Sequence, residues 1–206
     1  MKDKARKFIT IEPPFVFNNK YSFNDPITVA YETLGKLNSK KSNAILITTG
    51  LSPSAHISSS NIDKSPGWWE KIVGKNKPVD TDKYFVICVN SLGSCFGSSG
   101  PSTSSPQTGK KYKLSFPEVS IEDIAFSIKP VIDALEIQTL KAIIGPSMGG
   151  MTALSFIKQY PNIARDLILI STAASSRPFS IALRSLQRSM ITSDPDWNEG
   201  NYNDAD

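Results

Sequence analysis

The 206-residue sequence is poor in the residues that bind metals or crosslink chains, with two cysteines and one histidine. Two cysteines are too few for the disulfide framework of a small secreted domain. Cys88 and Cys95 have no cysteine or histidine neighbours at zinc-binding spacing, so no metal site is expected. We interpret both as reduced, partly buried thiols.

Long apolar runs are also absent. No segment approaches the roughly 20 apolar residues that cross a bilayer, and the basic start of the chain leads into no apolar block of signal-peptide length. The sequence therefore favours a soluble, cytoplasmic protein without a membrane partner. We expect the basic residues 1–7 to form a solvated, frayed terminus.

Signatures of nucleotide and nucleic-acid binding are missing as well. The net charge is +4, but the lysines and arginines are scattered and not interleaved with aromatic residues. This pattern argues against a nucleic-acid partner. A Gly-x-x-x-x-Gly-Lys loop is absent, which disfavours nucleotide hydrolysis.

The sequence does contain an alternation of strand-like and helix-like segments. Continuous apolar character predicts strands buried on both faces, at residues 43–50, 84–90, 142–144 and 167–171. Residues 27–34 alternate like a half-exposed strand, and helices are predicted over 120–135 and 151–160. Such alternation implies βαβ units, so the predicted fold is a doubly wound, mostly parallel α/β domain with its site at the carboxyl ends of the strands.

The most specific motif is Gly-Pro-Ser-Met-Gly-Gly at residues 145–150, between a predicted strand and a predicted helix. A strand that turns through Gly-x-Ser-x-Gly into a helix is typical of the nucleophile elbow of α/β-hydrolase folds. The glycines permit a strained turn that exposes the serine oxygen. We therefore predict Ser147 as a nucleophile, and the alternative is a chance occurrence of the motif in a loop.

An oxyanion hole in this fold uses the N–H of the residue after the nucleophile and a second N–H from an earlier loop. Here the first donor is predicted to be Met148 and the second Leu51, which follows the strand over 43–50. The alternative for Leu51 is an ordinary turn at the end of a strand.

A serine nucleophile also needs a base, usually a histidine that follows it in the order Ser, Asp or Glu, His. The only histidine, His56, precedes Ser147, and the acidic residues after Ser147 from residue 194 onward belong to a polar tail. His56 is either a substitute base, a residue hydrogen-bonded to a backbone carbonyl, or an exposed side chain. The catalytic acid and base are thus not identified in this sequence.

Five segments resemble, in order and spacing, the homoserine O-acetyltransferase family of α/β-hydrolase fold enzymes. They are AYETLGKLN (30–38), PGWW (66–69), DTDKYFVIC (80–88), GSCFGSSGP (93–101) and GPSMGGM (145–151). Within the family, residues 49–56 and 178–188 look more like the branch that acylates L-serine, including serine O-succinyltransferases. Homoserine enzymes tend to carry Leu-Thr-Gly-Asp where this chain has Leu51, Ser52, Pro53 and Ser54.

The resemblance implies a ping-pong transfer of an acetyl or succinyl group from acyl-CoA, through Ser147, to the hydroxyl of L-serine or L-homoserine. Such a reaction belongs to cysteine or methionine biosynthesis. Acyl-CoA is then a co-substrate, with no bound cofactor, and Leu51, Ser52, Pro53 and Ser54 are predicted to select the substrate. The family also implies a homodimer formed through a helical lid.

The resemblance places the family's catalytic Asp, His and a substrate-binding Arg beyond that lid. We therefore expect residues 1–206 to be the N-terminal part of one α/β-hydrolase domain, truncated before the lid and the last strands and inactive alone. Residues 177–206 are predicted to be the start of the lid or a frayed tail. Two alternatives are a carboxylic ester hydrolase of the same fold and a non-catalytic remnant that binds CoA-like ligands or pairs with an intact subunit.

Overall fold

The computed structural model describes residues 4–202. In chain order the strands are β1 (Lys7–Ile11), β2 (Phe15–Val16), β3 (Ser22–Phe23), β4 (Ile27–Leu34), β5 (Ala44–Thr48), β6 (Val73–Gly74), β7 (Val79–Asp80), β8 (Phe85–Val89), β9 (Leu140–Pro146) and β10 (Ala164–Ile170). The helices are α1 (Ile121–Ala134), α2 (Met148–Gln159) and α3 (Pro178–Thr192), with short 3₁₀ helices at Lys113–Ser115 and Pro195–Gly200.

Six strands form the central sheet in the order β1-β4-β8-β5-β9-β10. Strands β8, β5, β9 and β10 run parallel, whereas β1 and β4 are antiparallel to their neighbours. The predicted mostly parallel α/β sheet is therefore confirmed. One face packs against α1 and α2 through residues such as Leu46, Ile143 and Phe156.

The opposite face of the sheet is covered by the long segment between β5 and β8. Ile57, Val73 and Val79 pack there against Ile47 and Cys88, with the two stacked tryptophans at 68 and 69 alongside. The segment is thus ordered by its own apolar anchors. Cys88 is buried and Cys95 is exposed, so the expectation of two partly buried thiols is wrong for both.

The sheet corrects three expectations from the sequence. Lys7 starts β1, which pairs with β4, so the predicted frayed terminus is wrong at this residue; Met1–Asp3 lie outside the described residues. β4 is largely buried rather than half-exposed, because it lies between β1 and β8. Residues Leu167–Ile170 are 37–46% exposed, not buried, because β10 is the last strand of the sheet formed by residues 4–202.

The helices agree with the predicted ones except at their ends. α1 begins after Ser120, whose side chain and that of Asp123 form a capping box. α2 begins at Met148, three residues earlier than predicted, immediately after the serine of the motif. No helix among residues 4–202 is long and apolar enough to cross a membrane.

Candidate active site

Ser147 lies at the junction of β9 and α2, where the sequence motif predicts the nucleophile. Its backbone has φ 54° and ψ −125°, a conformation that residues with a Cβ seldom adopt. The turn is held by two hydrogen bonds, from Ser147 N–H to the Ile170 carbonyl (2.9 Å) and from Gly150 N–H to the Ser147 carbonyl (3.0 Å). Strain of this kind persists only where surrounding structure enforces it, as at functional sites.

The glycines beside Ser147 permit the close contacts of this turn. A Cβ on Gly145 would lie 2.6 Å from the Gly149 carbonyl oxygen, and a Cβ on Gly149 would lie 2.3 Å from the carbonyl oxygen of Thr48. Both contacts involve backbone, which cannot move aside as a side chain can. Glycine is therefore a steric requirement on both sides of Ser147, and the motif lies at a strand–helix junction rather than in a loop, while the role of Ser147 as nucleophile stays a prediction.

The Ser147 side chain is available for chemistry. The residue is exposed, and its hydroxyl makes no capping hydrogen bond to α2. It precedes Met148, the first residue of α2. The first N–H groups of a helix have no partner within the helix, and they carry partial positive charge. This helix end can therefore stabilise negative charge that develops next to Ser147.

Leu51 and Met148 line the same cleft, which has a volume of about 320 Å³. The structure thus brings together the two residues predicted to supply the oxyanion hole, while their role stays a prediction. No charged side chain lines this cleft in the part of the chain that the structure describes. The other lining residues are Ser91, Leu92, Gly93, Ser94, Pro101, Phe116, Pro117, Val119 and Ile124.

The predicted specificity segment lies at the surface beside this cleft. Leu51 is 61% exposed and Ser52 is exposed, whereas Pro53 and Ser54 are half-buried. The indole N–H of Trp68 donates to the carbonyl of Ser54 at 2.9 Å, which fixes the end of the segment. Selection of the substrate by these four residues stays a prediction.

His56 does not face an open site. Its Nδ1 lies 3.0 Å from Oε2 of Glu32, and its Nε2 lies 2.9 Å from the carbonyl oxygen of Ser65. Because a carbonyl oxygen only accepts, Nε2 carries a hydrogen and donates it. The structure therefore supports the hydrogen-bonded alternative for His56, since neither ring nitrogen is free to take a proton from Ser147.

Several effects act on the pKa of His56. Burial lowers it, but the hydrogen bond to the Ser65 carbonyl, the hydrogen bond and charge of Glu32 and the charge of Asp63 together outweigh burial. The net result is a pKa above the ordinary value for histidine. Sequence reasoning missed Glu32, although an acidic residue within the strand over 27–34 was a visible signal.

Asn90, at the end of β8, is a second residue that sequence reasoning missed. Its side chain accepts a hydrogen bond from the backbone N–H of Ala55 and donates one to the Phe96 carbonyl. The hydroxyl of Ser98 donates to the Asn90 carbonyl at 2.9 Å. Asn90 therefore joins the loop after β5 to the loop after β8, and both loops border the cleft. A buried amide directly after an apolar strand was the available signal.

Comparison with known proteins identifies the fold family and the relatives of this chain. The model of the alpha/beta hydrolase fold family matches residues 43–206. A serine O-succinyltransferase of Xanthomonas campestris pv. campestris is 56% identical over 177 residues, which are 86% of this chain and 47% of that protein. An L-serine/homoserine O-acetyltransferase of Streptomyces lavendulae is 54% identical over 178 residues, 86% of this chain and 48% of that protein. The chain spans about half the length of the curated relatives it matches.

Solved structures extend the likeness to nearly the whole chain. A homoserine O-acetyltransferase from Bacillus anthracis superimposes with a TM-score of 0.87 at 30% identity, covering 97% of this chain and 55% of that one. An esterase superimposes with a TM-score of 0.84 at 34% identity, and the match covers 97% of this chain and 56% of the esterase chain. The resemblance to serine and homoserine O-acyltransferases is thus confirmed, and the chain belongs to the alpha/beta hydrolase fold family.

Proposed function

We propose that this chain carries the nucleophile of an acyl-CoA-dependent O-acyltransferase that acts on the side-chain hydroxyl of L-serine or L-homoserine. The observation that supports it best is Ser147, exposed in a strained turn at the start of α2. The substrate class, an amino acid with a side-chain hydroxyl, comes from the names of two relatives. One is a serine O-succinyltransferase and the other an L-serine/homoserine O-acetyltransferase. The product would feed cysteine or methionine biosynthesis in the cytoplasm.

The reaction would proceed in two halves. In the first, Ser147 Oγ attacks the thioester carbonyl, the carbon–sulfur bond breaks, and CoA leaves as the thiol with the serine proton. In the second, the amino-acid hydroxyl attacks the acyl-serine ester, and its proton returns to Ser147. Each tetrahedral intermediate places its oxyanion between the N–H groups of Met148 and Leu51, and one such donor is worth about 2.7–4 kcal/mol.

Both halves need a base that moves the proton, and His56 is already engaged with Glu32 and the Ser65 carbonyl. Loss of a triad member in serine enzymes costs on the order of 10⁴- to 10⁶-fold in rate. We therefore expect residues 1–206 alone to show little turnover. In the full-length gene product, we propose an Asp and a His outside these residues as orienting acid and base.

A carboxylic ester hydrolase is the second candidate function. The observation that favours it is the esterase structure at 34% identity and a TM-score of 0.84. The two functions share the acyl-serine and differ in what attacks it, since the hydrolase admits water and the transferase excludes it.

The test is an acceptor assay on the full-length gene product with acetyl-CoA and with succinyl-CoA. We expect CoA release to depend on added L-serine or L-homoserine and to yield the O-acyl amino acid. Release at the same rate without an amino acid, with free acid as the product, would identify the hydrolase. The Ser147→Ala variant serves as the control for both activities.

A further inference from the structure

We propose that His56 is a positioning residue: held by Glu32, it fastens the loop after β5 to the sheet so that the backbone N–H of Leu51 stands beside Ser147. This inference rests on the proposed function, because Leu51 matters only where an oxyanion forms. It assigns a role to the only histidine of the 206 residues, which the proposed chemistry does not use.

The loop that carries Leu51 is fixed at two points. At its start, Thr48 at the end of β5 donates from its hydroxyl to the carbonyl of Gly149 in α2, at 2.7 Å. At the other point, residues 54–56 are bound to the sheet and to neighbouring loops. Leu51 and Ser52 lie exposed between these points, so the position of the Leu51 N–H depends on both.

The second fixed point is built mostly from long-range contacts. Trp68 binds the Ser54 carbonyl, Asn90 binds the Ala55 N–H, and His56 binds Glu32. The Ser54 carbonyl is bound from within the same long segment, and the Ala55 N–H is bound from the end of β8. His56 is the contact that joins this point to β4, because Glu32 belongs to that strand.

Glu32 is buried and has few hydrogen-bond donors around its carboxylate. Its side chain is 3% exposed, and its Oε1 has no hydrogen-bond partner among the described residues. Because Nε2 donates to Ser65, Nδ1 donates to Oε2 of this buried carboxylate, at 3.0 Å, in the protonated imidazolium form of His56. An unpaired buried charge is costly, so the two side chains hold each other in place.

The other ring nitrogen binds within the loop itself. Nε2 of His56 donates to the Ser65 carbonyl at 2.9 Å and lies 3.1 Å from the Ser65 hydroxyl, which donates to Asp63 at 2.6 Å. This bond shapes the loop but does not attach it to the sheet. The two nitrogens therefore have separable roles, and two amide substitutions can separate them.

The matched variants are His56→Asn and His56→Gln in the full-length gene product. The Asn amide nitrogen occupies roughly the place of Nδ1 and keeps a donor toward Glu32. The Gln amide nitrogen occupies roughly the place of Nε2 and keeps only the bond within the loop. The first readout is the rate of acyl transfer from acetyl-CoA or succinyl-CoA to Ser147, and the second is amide hydrogen exchange of residues 51–55.

We expect His56→Asn to keep the acylation rate within a few-fold of wild type. We expect His56→Gln to lower it by about 10- to 100-fold with little change in KM, because a misplaced oxyanion donor affects the transition state more than binding. Exchange of residues 51–55 should be faster in His56→Gln than in His56→Asn. Equal acylation rates and equal amide exchange of residues 51–55 in wild type and both folded variants would overturn the proposal.

The two readouts also separate this proposal from the proposed function. If wild type forms no acyl-enzyme, the proposed function fails, and with it the role of Leu51 as an oxyanion donor. Faster exchange only in His56→Gln would then still support the fastening of the loop by Glu32. If wild type is acylated but neither readout distinguishes the variants, the proposed function stands and the role of His56 is refuted.

Discussion

The hydroxyl of Thr48 donates to the carbonyl of Gly149 at 2.7 Å, and this bond joins the end of β5 to the first turn of α2. Thr48 is 1% exposed, so no water replaces the bond if it is lost. The turn at Ser147 and the loop that carries Leu51 therefore share one buried support. Both sides of the cleft depend on it.

Thr48→Val tests this support with little change in shape. The variant removes the Thr48 hydroxyl from the Gly149 carbonyl, which still belongs to the hydrogen-bond ladder of α2, and we expect a loss of about 0.5–1.5 kcal/mol in the free energy of unfolding. Denaturant unfolding measures this value, and Thr48→Ser, which keeps the hydroxyl, is the control. Equal unfolding midpoints for the Val and Ser variants would contradict the role given to the bond.

Gly149→Ala tests the steric requirement of the turn. The new Cβ would lie 2.3 Å from the Thr48 carbonyl oxygen, and we expect a loss of at least about 3 kcal/mol in the free energy of unfolding. Gly50→Ala is the matched control, because its Cβ would meet its nearest neighbours at an ordinary 3.7 Å. A thermal unfolding comparison in which both variants resemble wild type would refute the steric argument.

The raised pKa of His56 predicts a pH dependence of stability. The folded state binds the imidazole proton more tightly than the unfolded state, whose pKa is about 6.5. The resulting stabilisation is complete below that value and is lost as pH rises through the folded pKa. The charged groups that raise the pKa are Glu32 in β4 and Asp63 in the loop.

The measurement is an NMR titration of the full-length gene product, in which resonances absent from His56→Asn are assigned to His56. We expect its midpoint above about 6.5. The difference in unfolding free energy between wild type and His56→Asn should shrink as pH rises through that midpoint. A midpoint at or below the ordinary value would contradict the ion pair with Glu32.

Local signals in the sequence predict the centre of this fold and the strained turn at Ser147. The apolar runs of β5, β8 and β9 identify parallel strands, and the glycines around Ser147 identify the turn, because both depend on neighbouring residues in the chain. Burial of β4 and exposure of β10 were not predictable, because each depends on which strands lie beside it. An acidic residue within the strand over 27–34 is visible in the sequence, but its pairing with His56, 24 residues away, depends on the fold and is not.

Replacement of the predicted specificity segment tests substrate choice. Ser52→Thr, Pro53→Gly and Ser54→Asp together give the pattern of the homoserine enzymes. We expect the ratio of kcat/KM for L-serine to that for L-homoserine to fall by about 10-fold, since the segment lies beside the cleft of Leu51 and Met148. Ser39→Thr, in an exposed turn, is the control. An unchanged ratio would show that the segment is only scaffold.

The most direct test of the account is the intact mass of the full-length gene product after incubation with acetyl-CoA or succinyl-CoA in the absence of an acceptor. Ser147 as nucleophile predicts a gain of one acyl group, located by peptide mapping to residues 140–159. It also predicts loss of that group on addition of L-serine or L-homoserine, and no gain in Ser147→Ala. Acylation that persists in Ser147→Ala would contradict the assignment of Ser147 as the nucleophile.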